Sequence, residues 1–240
     1  MASEPKLTAE WWGSRFESWS AEVEPEIHAS FRQATGWSVL SALVGGHTST
    51  PLGQSRIVVG LAGANIRARE DARSLGGIAL PSMESVALAS LLPVPERLTA
   101  IVGDDVVAAV ALRERQGPPA HSKDPALAML VSEALDGLER AQAAAGGPLV
   151  VKSSEHALDL VTAFRTGLAA RSRTLDPNTM DRMLSGSALL VRRMAALVAV
   201  AEGVTLVTDI HQTIAIEAAS ESVSSLVRYL TTDRWLVRQA

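Results

Sequence analysis

Cysteine is absent from this chain of 240 residues. Disulfides, thiolate metal sites and cysteine nucleophiles are therefore excluded, which fits a reducing compartment. Aromatic residues make up only 4% of the sequence, so the core has to be built mainly from alanine, valine and leucine. The formal net charge is −4, with 22 basic and 26 acidic residues, and this balance gives no general attraction to nucleic acid or to anionic membranes. The expected location is cytoplasmic.

Long hydrophobic runs are also lacking. No uninterrupted apolar run reaches the roughly 18 residues of a membrane-spanning helix, and the closest approach, from Met194 to Ala201, stops at Glu202. The first residues carry acids and a proline where a signal peptide needs a basic start and an apolar stretch. The apolar share of 47% is nevertheless enough to fill a core. We therefore expect a soluble, folded protein.

Tryptophan is concentrated near the start, with four of the five residues in the first 37 positions. The pattern up to Gly45 predicts two helices, one capped by Thr8 and a second beginning near Pro25. The rings are expected to anchor these helices on the rest of the protein. An aromatic platform for a base or a partner peptide is the alternative, although no basic residues interleave with the rings as in single-strand binding sites.

The middle of the chain predicts strands that alternate with helices. The run "RIVVGLAG" is typical of a buried strand and leads into a helix opening, "ANIRAREDAR". Two further strands are predicted at residues 77–81 and 98–104, with a helix "SMESVALASLL" between them and a helix "DDVVAAVALRERQ" after them. Such alternation indicates βαβ units and a small, mostly parallel sheet of three or four strands.

The second half predicts a helical bundle that begins near Ser122. The fold class is thus helix-rich α/β: N-terminal helices, the small mostly parallel sheet and a C-terminal helical bundle. The expected domains are residues 1–121 and 122–240, or one continuous domain. Several helices start at residues that cap backbone N–H groups, and two end at glycine. The starts are Asp124, Ser153 with Ser154, and Thr208 or Asp209; the ends are Gly146 and Gly203.

The tail "LLVRRMAALVAVAEGVTLVTDIHQTIAIEAASESVSSLVRYL" resembles the C-terminal helices of helicase-like P-loop ATPases found beside primases in phages and mobile elements. In that family an Arg-bearing helix ends at glycine, a "vT" link follows, and an Ala-rich helix closes the domain. The N-terminal half adds "IVVGLAGANIRARED" at the place where such proteins carry their nucleotide loop. The resemblance implies a P-loop-like module that binds ATP with Mg²⁺ and assembles with itself or with a partner protein.

The nucleotide motif itself is degenerate. A working loop has the pattern G-x-x-x-x-G-K-[ST], in which backbone N–H groups cradle phosphates, lysine neutralises their charge and a hydroxyl holds Mg²⁺. Here Gly60 and Gly63 supply the flexibility, no lysine follows, and the first hydroxyl is Ser74. Arg67 or Arg69 would have to replace the lysine. Three interpretations stay open: an intact loop, a degenerate loop on an inherited fold, and an unrelated strand-to-helix turn.

Other charged residues complete the predicted site. Asp104 stands at the end of the predicted strand 98–104, where such an ATPase holds Mg²⁺, but an aspartate there also caps a following helix. Arg192 and Arg193 are candidate contacts to phosphate of a nucleotide or a nucleic acid. The alternative for such arginines is a solvated helix face with acidic partners one turn away.

No other catalytic constellation stands out. The five histidines have no metal-ligand spacing, and no serine lies in a G-x-S-x-G elbow. Three hypotheses about function follow. One is a diverged, catalytically impaired P-loop-like module of replication or mobile-element type that acts through assembly. Another is a non-enzymatic structural or oligomerisation protein built from Ala-rich helices, and a nucleic-acid adaptor that uses the arginines is a third hypothesis.

Overall fold

The architecture is helix-rich α/β, as predicted. A computed structural model describes residues 11–63, 83–88, 97–102, 108–114 and 124–231. The helices are α1 (Trp12–Val23), α2 (Ala29–Val44), α3 (Pro125–Ala145), α4 (Glu155–Arg171), α5 (Pro177–Ala201) and α6 (Asp209–Thr231). The strands are β1 (Ser49–Thr50), β2 (Gly53–Gln54), β3 (Val58–Gly63), β4 (Met83–Ala87), β5 (Arg97–Val102), β6 (Ala108–Glu114), β7 (Lys152–Ser153) and β8 (Leu206–Val207).

The main sheet is mixed, in the order β4-β6-β3-β5. Strand β3 pairs parallel with β5, whereas β3 with β6 and β4 with β6 are antiparallel pairs. The prediction of a mostly parallel sheet is therefore wrong. The predicted strands at β3 and β5 are confirmed, while the one at residues 77–81 lies outside the described residues.

The prediction of the sheet was wrong because two segments that were predicted as helices form strands. Residues 83–87 form β4 and residues 108–114 form β6. Alanine and leucine in both segments favour helix locally. Strand β6, however, has a partner on each side and buries Ala111 and Leu112, and this pairing and burial outweigh the local preference.

Aromatic side chains attach the N-terminal helices to the rest of the protein. Helix α1 follows Trp11, and α2 begins at Ala29 after His28 rather than near Pro25, because the His28 ring accepts the backbone N–H of Ser30 at 3.2 Å. Thr8 lies outside the described residues. The Trp12 indole N–H donates to the carbonyl oxygen of Leu130 in α3 at 2.8 Å. The predicted anchoring role of the tryptophans is thus confirmed for this ring.

The C-terminal helices are arranged around α5, which contacts α3, α4 and α6. Two of the predicted caps, at Asp124 and Ser154, are present. The Asp124 carboxylate accepts the N–H groups of Ala126 and Leu127, and Ser154 accepts that of Ala157. Helix α3 ends at Gly146, whose φ of 61° lies in the left-handed region that glycine adopts without strain. One hydrophobic core cluster joins these helices to α1, α2 and the sheet.

The link from α5 to α6 is fixed by backbone hydrogen bonds. Gly203 has φ of 86°, its N–H donates to Val200, and the N–H of Val204 donates to Ala199, which is the Schellman pattern of a helix end. The link then forms β8, which pairs parallel with β7 before α4. The predicted extended link is therefore a short strand that ties two helix connections together.

Among the described residues, α5 is the one helix long and apolar enough to pass a length and composition test for crossing a membrane. In this structure 72% of its most apolar window is buried inside the protein. Met194 and Leu197 are fully buried there. The helix therefore forms the centre of the bundle.

The two aspartate caps are expected to make stability depend on pH. Hydrogen bonding, chiefly from the Leu127 N–H, holds the pKa of Asp124 below its usual value, and bonding from Thr179 does the same for the pKa of Asp176. A carboxylate whose pKa is lower in the folded state stabilises the fold at pH values above its unfolded-state pKa of about 3.9. This contribution is lost as the pH falls through the folded-state pKa. We therefore expect the melting temperature to fall on acidification below about pH 4.

The measurement is thermal unfolding across the acid range for the wild type and for the double variant Asp124→Asn with Asp176→Asn. Asparagine also caps helices but does not titrate, so the double variant should lose less stability on acidification. Asp159→Asn, on the exposed face of α4, is the matched control. An acid dependence identical in all three proteins would contradict the prediction.

Candidate functional site

The two glycines of the predicted nucleotide loop occupy different positions. Gly60 lies inside β3, paired with Thr99 on one side and Ala111 on the other. A Cβ atom at Gly60 would lie 3.1 Å from Leu88, so close packing accounts for this glycine. Gly63 is the last residue of β3. Only Gly63 is therefore placed where a strand ends and a loop can begin.

The ends of β3 and β5 lie side by side. The strands are parallel, and Gly63 pairs with Val102, the last residue of β5. Ligands of open α/β sheets bind beyond the carboxyl ends of parallel strands. The predicted residues Arg67, Arg69 and Asp104 follow these two ends in sequence and lie outside the described residues.

Arg97 is a basic residue in β5 that sequence reasoning did not single out. It begins β5, so it lies at the opposite end of the strand from Val102. Its partial burial lowers the pKa of its guanidinium group from the ordinary value. The aliphatic Cδ atom of Arg97 would lie 3.5 Å from a Cβ at Gly60, which places its stem along the sheet. No residue pattern near Arg97 signals this burial, because it depends on the neighbouring strand.

The two candidate phosphate-binding arginines both lie on α5. Arg193 is only 7% exposed, and its Nη2 atom would lie 4.0 Å from a Cβ at Gly53 in the β1–β2 hairpin. Arg192 is half-buried. Arg193 therefore takes part in packing between α5 and the hairpin and does not present its charge to solvent.

A buried histidine connects the two ends of the α5–α6 link. His211 is 1% exposed; its Nδ1 atom accepts the Thr208 backbone N–H at 3.0 Å, and its Nε2 atom lies 2.9 Å from the Glu202 carboxylate. The Thr208 hydroxyl is 3.1 Å from Nδ1. A glutamate, a histidine and a hydroxyl in a row resemble a catalytic set, but Nδ1 is already occupied by a backbone donor. The bond from the Thr208 N–H to His211 is one half of a capping box, with histidine in place of the usual Glu or Gln acceptor.

A narrow groove lies where α2, β5 and α6 meet. The Thr99 N–H on the outer edge of β5 donates to the Ser222 hydroxyl at 2.9 Å, and Ser30 donates to Glu221 at 2.8 Å. Helix α6 thus covers β5, which lies at the edge of the sheet formed by the described strands. The cavity measures only about 20 Å³, which is room for about one water molecule.

A larger cavity, the tryptophan pocket, lies between α1 and α2. It measures about 90 Å³, and its walls include Trp11, Trp12, Glu17, Gln33 and Trp37. The Trp11 and Trp37 ring centroids are 5.2 Å apart with planes inclined at 42°. Clustered tryptophans in the sequence are the signal for it, but only packing of the two helices brings these side chains together.

Among the described residues, no group of three or more His, Cys, Asp or Glu side chains is placed to hold a metal ion. Comparisons with protein-family models, with curated proteins and with solved structures found no match to this chain. The fold defines a helix-rich α/β protein with a mixed sheet.

Proposed function

We propose that this chain is a diverged helicase-like P-loop module of replication or mobile-element type, which binds a nucleotide beyond β3 and β5 and acts through assembly. The observation that supports the proposal is the parallel pairing of Gly63 with Val102. Because of this pairing, the predicted loop and the segment that leads to Asp104 begin at neighbouring strand ends. Nucleotide sites on such sheets combine a phosphate loop after one strand with a metal-holding acid after another.

Counted from Gly63, the sequence keeps one feature of the phosphate-loop pattern, a positive charge at the lysine position. With Gly63 as the first glycine of the pattern, Ala68 stands at the second glycine, Arg69 at the lysine and Glu70 at the hydroxyl. Arginine keeps the positive charge that phosphates need, but its planar fork differs from the compact ammonium of lysine. A glutamate in place of the hydroxyl brings negative charge close to the phosphates. Charge attraction is retained in part, while the catalytic geometry is altered.

The role of Asp104 is favoured by the strand that follows it. The alternative role, capping a helix over the next segment, requires a helix there. Residues 108–114 form β6 instead. A carboxylate after an apolar parallel strand is suited to hold Mg²⁺.

We expect Mg-ATP or Mg-ADP to raise the melting temperature of the full chain. A ligand at about 100 times its dissociation constant adds about 2.7 kcal/mol to the free energy of unfolding when it binds only the folded state. Arg69→Ala is expected to abolish the shift because it removes the charge at the lysine position. Thermal unfolding with nucleotide from micromolar to millimolar concentration measures it.

Two pairs of variants control this experiment. Arg67→Ala removes an equal charge two residues away, and Asp105→Ala is the neighbour of Asp104→Ala. Arg69→Ala and Asp104→Ala should lose the shift, whereas their neighbours should keep most of it. Equal losses in both members of a pair would contradict the assigned roles. Mass photometry with and without nucleotide then tests assembly.

A non-enzymatic structural or oligomerisation protein is the second candidate function. It is favoured by Gly60, whose presence the close packing against Leu88 explains without any ligand. If no nucleotide shifts the melting temperature and the chain still forms oligomers, this second function replaces the first. A nucleic-acid adaptor would instead show DNA binding that weakens steeply with salt.

A further inference from the structure

We propose that the tryptophan pocket binds a small alkylammonium cation, such as a trimethylammonium head group. The pocket lies between α1 and α2 and does not depend on nucleotide binding at β3 and β5. Its volume of about 90 Å³ is several times the roughly 10–15 Å³ that one water molecule requires. A compact organic head group therefore fits where a single water would leave most of the space empty.

Indole rings supply the attraction. Trp11, Trp12 and Trp37 all line the pocket. A cation within about 6 Å of an indole centroid is drawn to the negative face of the ring, and tryptophan is the strongest of the aromatic residues in this respect. A bare ammonium is strongly hydrated, whereas an alkylated one gives up water more easily on entering such a site. The walls therefore favour an alkylated cation.

The charged residue that lines the pocket is negative, which suits a cationic ligand. Glu17 lines it and is half-buried, and within the described part of the chain its carboxylate has no hydrogen-bond or ion-pair partner. Glu133 in α3, by contrast, is already paired with Arg15 of α1. None of the residues that line the pocket is basic. Glu17 is thus a countercharge available to a cationic ligand.

The walls are already held in place. The Trp12 indole is fixed by its hydrogen bond to Leu130, and its ring stacks on Phe16 at a centroid distance of 5.3 Å. Trp37 is 2% exposed and in contact with Trp11. A preformed site loses little conformational freedom when the ligand enters, and this improves affinity.

Choline is the probe for the first test, with 3,3-dimethylbutanol as its uncharged carbon isostere. We expect choline to quench or shift tryptophan fluorescence in a saturable titration and to release heat in calorimetry, while the isostere binds at least about tenfold more weakly. Glu17→Gln is expected to weaken choline binding by about tenfold. Glu22→Gln, an exposed acid on the same helix, is the matched control and should bind as the wild type does.

Two sources of the cation are distinguished by a second arm. A short peptide with trimethyllysine is compared with free choline and with the same peptide carrying unmodified lysine. Tighter binding of the methylated peptide assigns the pocket to a protein-borne cation, and tighter binding of choline assigns it to a free one. Equal binding of choline and its isostere, or no saturable binding of either cation, would overturn the proposal. Equal loss in Glu17→Gln and Glu22→Gln would overturn the role of Glu17.

Discussion

Gly137→Ala is expected to lower the free energy of unfolding by about 3 kcal/mol, at the upper end of the effects of overpacking. Gly137 lies in α3 where the C-terminal end of α5 crosses it. A Cβ atom there would press on the backbone carbonyl oxygens of Ala201, well inside van der Waals contact, and Val200, at 2.8 Å. Backbone atoms of a buried helix cannot rotate away as a flexible side chain can, so the two helices must separate.

The same substitution at Gly167 is the matched control. Gly167 lies in α4, is exposed, and a Cβ atom there would meet nothing within 4 Å. Alanine favours helix over glycine by about 0.8–1.0 kcal/mol, so Gly167→Ala should raise stability. Urea unfolding of the three proteins measures both effects. A similar change of either sign at both positions would contradict the assigned contact at Gly137.

Phe16→Ala is expected to lower the free energy of unfolding by about 3–5 kcal/mol. The ring is fully buried and lies 5.3 Å, centroid to centroid, from both Trp12 and Trp19. Its removal leaves a cavity that the rigid indole rings fill poorly. The volume that stays empty increases the loss in free energy of unfolding. Urea unfolding again provides the measurement.

The control for this variant is Val23→Ala on the same helix, where the side chain is 39% exposed and the loss should be far smaller. Because Phe16 supports Trp12, Phe16→Ala should also weaken choline binding at temperatures where the variant remains folded. Unchanged stability would show that α1 packs differently from the arrangement described here. Lost stability with unchanged choline affinity would separate the pocket from the packing beneath it.

The positions of the candidate site residues in the fold were predictable only in part. Gly63 at a strand end followed from the apolar run before it, and the structure pairs it with Val102. Gly60 was the other candidate glycine in the sequence, yet it lies inside the sheet because β6 and β5 flank β3. The charge of Arg193 suggested a contact to phosphate, but its position on α5 buries it in the protein interior. In each case the neighbour that decides the outcome is distant in the chain.

The sequence by itself determined the ends of the C-terminal helices, such as those at Asp124, Gly146 and Ser154. These signals act within one turn of helix, since a cap binds backbone groups two or three residues away. Tertiary structure alone decided that residues 83–87 and 108–114 are strands and that α1 and α2 enclose the tryptophan pocket. Strand pairing and cavity walls require partners far apart in sequence, and burial against those partners overrides the local helix preference of alanine and leucine.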